Sequence, residues 1–159
     1  MIVVQAPKDI HLPAVYLSPK VFLAGGITNC PNWQQEFIDH CNSKDPDYTR
    51  FALYNPRRDD FDINDPHATE EQITWVFEKL KESDVIVFWF SRGSINPIIL
   101  YELGMWGNSR EKKIFVGVDE EYPRKGDVYI QTMLARNEVY LDIVTSVKQL
   151  ADKLCMYMV

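Results

Sequence analysis

A doubly wound α/β sandwich, a parallel sheet covered by helices on both faces, is the fold class that this 159-residue sequence predicts. Three observations lead there. Four apolar runs of strand length recur along the chain, and the segments between them carry helix-start signals and amphipathic spacing. One run, "VIVFWF", shows no polar alternation, which suits an interior strand of a parallel sheet better than a strand with one wet side. Strand and helix repeated in this way imply right-handed crossovers. A content of 46% hydrophobic residues is enough for one continuous core, and no repeat, low-complexity tract or linker divides the chain. A single domain over residues 1–159 is expected.

In chain order the strands are "VFLAGG" (residues 21–26), "FALYNP" (51–56), "DVIVFWF" (84–90) and "KIFVGVD" (113–119), with the shorter "EVYL" a candidate fifth. Asn32 can cap a helix carrying Trp33, Phe37 and Ile38. "TEEQ" at residues 69–72 is a capping box opening a helix with Ile73, Val76, Phe77 and Leu80 on one face. Asn96 followed by Pro97 is another start signal, because proline is pre-set for the first helical turn. That helix should end near Gly107 and Asn108. The tail "IVTSVKQLADKLCMYM" is a last amphipathic helix.

The net charge of -6 and pI near 5.0 give no basic footprint for a nucleic-acid backbone or an anionic membrane. No apolar run approaches the roughly 20 residues needed to span a bilayer, and the N-terminus lacks a basic leader followed by an apolar core. A cytoplasmic protein with small molecules or other subunits as partners is expected. Cys30, Cys41 and Cys155 are widely spaced, and His11, His40 and His67 do not fall beside them at metal-ligand intervals. No disulfide framework and no metal site are read from them. Cys30 has no partnered base nearby, so a small loop or buried cysteine is favoured over a nucleophile.

In an open parallel sheet, ligands bind beyond the carboxyl ends of the strands. The first of these loops contains "AGGIT", where Gly25 and Gly26 suit either close backbone approach to a ligand or a tight turn. The second, "NPRRDDFD", gathers Asn55, Arg57, Arg58, Asp59, Asp60 and Asp62, as a binding cluster or as a solvated charged loop. The third, "SRGSINP", leads into the helix that carries Glu102. In helical register Glu102 has Ile98, Ile99, Met105 and Trp106 as its neighbours three and four residues away. A helix apolar nearly all round is buried, and a buried carboxylate costs several kcal/mol unless it is paired or held for a function. Glu102 is therefore read as functional. A carboxylate in such a pocket is either a general acid with raised pKa or a nucleophile toward an electrophilic carbon such as an anomeric centre. Of the aromatic residues Phe22, Trp75, Trp89, Phe90, Tyr101 and Trp106, most should be core, with one or two available to stack on a flat base.

"VFLAGGI", "LYNPRRDDFD", "QITW", "SDVIVFWF" and "ILYELG", in this order and spacing, resemble the nucleoside 2-deoxyribosyltransferase-like family from about residue 21 to residue 127. The resemblance implies a flavodoxin-like fold and exchange of nucleobases on 2′-deoxyribose, with a nucleoside and a free base as partners and no cofactor. It also implies that Glu102 is the nucleophile, forming a covalent glycosyl-enzyme with net retention, as one carboxylate of a retaining glycosidase does. Gly25, Gly26 and Ile27 would lie against the substrate and Phe22 near the nucleophile, while Asn55, Arg57, Asp60 and Asp62 would border base or sugar. Asp127 stands about where relatives place a residue that completes a neighbouring subunit's site, which implies a homo-oligomer.

One position departs from the pattern. Many relatives carry an acid after the tryptophan of "QITW", where this chain has Val76. Asp60 and Asp62 are then the nearest candidate proton donors. Two other readings follow: an N-glycoside hydrolase of a nucleoside or nucleotide, and a nucleotide-binding module without turnover. Arg57 and Arg58 would favour a phosphorylated substrate if both faced the pocket. Residues 1–20 lie outside the resemblance, as an extra strand, an oligomer arm or a mobile lid.

Overall fold

Five parallel strands, β1 (Ile2–Gln5), β2 (Lys20–Gly25), β3 (Ala52–Asn55), β4 (Val85–Phe90) and β5 (Lys113–Val118), form a sheet in the spatial order β1-β3-β2-β4-β5. The computed structural model describes residues 1–9, 13–44, 51–62, 64–137 and 142–158. Their helices are α1 (Pro13–Leu17), α2 (Trp33–Lys44), α3 (Pro66–Glu82), α4 (Pro97–Trp106), α5 (Lys125–Arg136) and α6 (Val147–Tyr157). The architecture is the expected doubly wound α/β fold, consistent with a flavodoxin-like arrangement.

Strands β2 to β5 fall on the four apolar runs to within one residue at each end. Side chains alternate between two cores, as a doubly covered sheet requires. Val21, Leu23, Val85, Val87 and Trp89 pack against Trp33, Phe37 and Ile38 of α2 and Leu150, Ala151 and Leu154 of α6. Phe22, Ala24, Ile86, Phe88 and Phe90 face the opposite way, against Trp75 and Leu80 of α3, Ile99 and Leu103 of α4 and Val128 of α5. Each fully buried large apolar side chain contributes about 1.5–3 kcal/mol relative to exposure. Cys41 and Cys155, 114 residues apart in sequence, meet across α2 and α6 with their Sγ atoms 3.5 Å apart and no disulfide. Among the described residues no helix is long and apolar enough to cross a membrane.

The fifth strand is β1, paired with β3 from Ile2 beside Ala52 to Gln5 beside Asn55. Residues 1–20 thus supply the extra strand and, with α1, a short helix. The run "EVYL" lies outside the described residues. A start of three β-branched residues, with Pro7 soon after, is too short for periodicity to separate from a loop.

Helix α3 corrects two expectations. It starts at Pro66 with Asp65 as its cap, whose side chain accepts from the backbone N of His67 at 2.9 Å, so "TEEQ" is not a capping box. Thr69 lies inside the first turn, and its hydroxyl donates back to the Asp65 carbonyl. An Asp-Pro pair supplies both the side-chain cap and the pre-set first φ, and it outcompetes a threonine three residues on. The inward stripe is Gln72, Trp75, Val76, Lys79 and Leu80; Ile73 and Phe77 are exposed. Two stripe positions are polar and have partners, Gln72 donating to the Pro56 carbonyl and Lys79 pairing with Asp9 and Glu82. Hydrophobic spacing alone therefore places Val76 and Leu80 correctly and misplaces Ile73 and Phe77.

Candidate active site

From β2 the chain crosses to β3 on one side of the sheet and then to β4 on the other, so β2 and β4 flank a topological switch point. Ligands of open α/β sheets bind in the crevice outside the carboxyl ends of such a pair. Here those ends carry Gly25 and Gly26 on one strand and the loop of residues 91–96 on the other.

That second loop turns sharply into α4. Asn96 sits at the helix start with φ 51°, a left-handed conformation that asparagine tolerates better than most residues. Its side chain does not cap the helix. Instead Nδ2 donates to the carbonyls of Ser91 and Ser94, at 3.1 Å each. The Cys30 thiol donates to Oδ1 at 3.4 Å, and burial pushes that thiol's pKa up. The helix ends as expected, with the backbone N of Gly107 bonded to the Leu103 carbonyl at 2.7 Å.

Glu102 lies in the second turn of α4, 7% exposed. Ile99 and Leu103, on the same face, belong to the core that also holds Phe22, Ala24 and Phe90. Its Oε2 is buried with no hydrogen-bond partner among the described residues. Burial alone lifts the carboxyl from 4.5 to about 7. The reason for its burial differs from the expected one. Helix α4 is not enclosed all round: Ile98 and Tyr101 are 66% and 67% exposed, and Met105 is exposed too. Glu102 is buried beside Ile99 and Leu103, at the border with the exposed apolar stripe that includes Ile98 and Met105.

A family model described as nucleoside 2-deoxyribosyltransferase like matches residues 18–122. The chain belongs to that family. No curated protein matches it.

The other residues that the family pattern singles out are distributed unevenly. Gly25 and Gly26 are both needed for packing within the protein. A Cβ at Gly25 would lie 2.3 Å from the Trp33 ring, and one at Gly26 would lie 2.0 Å from Asn96 Oδ1 and 2.5 Å from Cys30 Sγ. Ile27 follows, half-buried, and its carbonyl accepts from Arg57. Phe22 is wholly buried, its ring 6.2 Å from that of Trp75. Asn55 is buried at the end of β3, and its Oδ1 accepts from the Arg57 backbone N at 3.0 Å. The acids that follow turn outward: Asp60 pairs with Arg58 at 3.3 Å, and Asp62 accepts from the Asn64 backbone N at 2.9 Å. Arg58 also pairs with Glu71 at 2.8 Å. Asp127, ion-paired with Arg124 at 3.0 Å, lines a cavity of about 340 Å³ between α4 and α5 together with Leu100, Leu103 and Gly104. Glu102 does not line that cavity. Asp127 and Glu102 thus lie on different flanks of α4 within one chain.

Several residues that hold the loops at these strand ends in place carried no functional signal in the sequence. Trp33 Nε1 donates to the Gly26 carbonyl at 3.2 Å. Gln34 is wholly buried and accepts from Arg57 Nε at 3.0 Å. Tyr122, after β5, donates its hydroxyl to the Ile95 carbonyl at 2.7 Å. The buried glutamine in "NWQQEF" is the one trace available beforehand, since a polar residue on the inward face of an amphipathic helix demands a partner.

Proposed function

We propose that this protein is a nucleoside 2-deoxyribosyltransferase that works through a covalent glycosyl-enzyme on Glu102. Two findings support the reading: membership of the family, and a buried carboxylate with one oxygen unpartnered on the helix leaving the switch point. The second carries it. An unpartnered buried carboxylate destabilises the fold, which makes sense where the group has a reaction to perform.

In this reaction a carboxylate oxygen of Glu102 attacks C1′ of the deoxynucleoside as the N-glycosidic bond breaks. The departing base takes the bonding electrons and a proton. The sugar is then held as an ester until a second base attacks C1′ from the vacated face and gives up its N–H proton, as the C1′–O bond breaks to restore the carboxylate with net retention. Poor solvation at this buried position keeps the anion reactive and limits attack by water. No cofactor takes part. Both arginines of "NPRR" are held in contacts within the protein, which supports an unphosphorylated nucleoside as substrate. With Val76 in place of an acid, the base depends on Asp60, Asp62 or water for its proton. The chain is further proposed to assemble as a homo-oligomer in which Asp127 completes a neighbour's site.

The test is chromatography of the protein incubated with thymidine and adenine, beside thymidine alone and a Glu102→Gln control. Deoxyadenosine is expected only in the mixed reaction with unmodified protein. Thymine without deoxyadenosine would replace transfer by hydrolysis. No product from any nucleoside pair would leave a binding module.

A further inference from the structure

The loop carrying Gly26 and Ile27 is gripped from behind by Arg57. Nη2 of this residue lies 3.1 Å from each of three carbonyl oxygens, those of Ile27, Cys30 and Pro31, while Nε donates to Gln34 Oε1 at 3.0 Å. The loop therefore curls its carbonyls around one cationic nitrogen, and charge-assisted bonds of this kind are stronger than neutral ones. The backbone of Arg57 is fixed as well. Its N donates to Asn55 Oδ1, and its carbonyl accepts from Gln5 Nε2 at 3.0 Å. Strand β1, which precedes the residues matched by the family model, thus braces the arginine. On its other side the same loop presses on the start of α4, where Gly26 and Cys30 meet the Asn96 side chain. A continuous path of contacts runs from β1 through Arg57 and the loop to the helix that bears Glu102.

We propose that Arg57 is a positioning residue that sets the loop of residues 26–31 against the start of α4, and that it does not bind a substrate phosphate. The kinetic half of this inference rests on the transferase reading; the structural half does not. Lysine should not replace it, because a point charge on a flexible stem cannot reach Gln34 and three carbonyls together.

Hydrogen–deuterium exchange and steady-state kinetics of Arg57→Lys and Arg57→Ala test it. Amides across residues 27–34 should exchange about tenfold faster in Arg57→Ala, with those of β4 unchanged. A displaced loop lowers the population of reactive geometry, so kcat should fall about tenfold or more while KM for thymidine stays within about twofold. Arg57→Lys should recover neither property. Gln5→Ala removes only the brace on the Arg57 carbonyl and should give a smaller acceleration over the same amides, which keeps the test available if Arg57→Ala fails to fold. Unchanged exchange across residues 27–34 in Arg57→Lys would overturn the proposal. So would a rise in KM confined to nucleoside monophosphates with kcat retained, which would make Arg57 a phosphate ligand. Exchange needs no turnover, so a protein with no transferase activity would still decide the loop's dependence on Arg57.

Discussion

Glu102 concentrates the proposed chemistry of the site in one titration. Its carboxyl is lifted by burial from 4.5 to about 7, so between those values the folded protein holds a proton that the unfolded chain releases. Stability is therefore lost as pH rises through this window, and above pH 7 the accumulated penalty is about 3 kcal/mol. Glutamine does not titrate. Glu102→Gln should accordingly gain on the unmodified protein by up to about 3 kcal/mol between pH 4.5 and pH 8, read from urea midpoints at several pH values. The same titration separates the two roles left open by the sequence. A nucleophile must be ionised, so kcat/KM should rise to a plateau through pH 7, whereas a general acid would give a falling limb. Gly26 is a second residue with a sharp expectation. Asn96 Oδ1 cannot swing away from an added methyl without breaking two hydrogen bonds to carbonyls, so Gly26→Ala should cost about 1–3 kcal/mol by chemical denaturation. Pairing it with Asn96→Ala should recover part of that loss. Glu102 was legible in the sequence because a lone charge in an apolar helix stands out. Arg57 was legible as a candidate but its role was not, since a sequence shows a cation beside a strand end and only the fold shows three carbonyls converging on it.

At the scale of elements, the strands were the readable part, since uninterrupted β-branched and aromatic runs have few other uses. Helix α3 shows where such reading fails. Its inward stripe includes Gln72 and Lys79, the first donating to a backbone carbonyl and the second paired with two carboxylates, so apolar spacing adds Ile73 and Phe77 in their place. Its start is set by Asp65, and this can be tested against Thr69. Asp65→Ala should destabilise by about 1 kcal/mol through loss of the cap on the His67 amide. In thermal unfolding the corresponding change should be a few degrees. Thr69→Ala, which removes a hydroxyl bonded back along its own helix, should stay within about 0.5 kcal/mol. Equal losses at the two positions would restore the capping box. Strand β1 was legible only as one of three options for residues 1–20, because it is four residues long, and helix α5 was missed because it buries only Val128 and Thr132.

For the whole molecule, what the sequence could not convey is which apolar surface stays uncovered. Ile98, Tyr101 and Met105 stand out from α4, and in helical register Ile98 and Met105 flank the position of the buried Glu102. Ile130 and Leu134 stand out from α5, the helix that carries Asp127. Isolated exposed apolar residues need no explanation, but large ones on both of these helices are candidates for the contact of the proposed homo-oligomer. In the proposed homo-oligomer, that surface would bring a neighbour up to the flank of α4, where Asp127 and the cavity of about 340 Å³ already lie. The double substitution Ile98→Glu and Tyr101→Glu should then reduce the mass in light scattering toward the 18.6 kDa of one chain. Because neither side chain is in the core, thermal stability at high dilution should change little. Transferase activity should fall along with the mass if a neighbouring subunit completes the site. A mass that falls while activity per chain is kept would leave Asp127 without a role across subunits. An unchanged mass above that of one chain would move the interface elsewhere on the molecule.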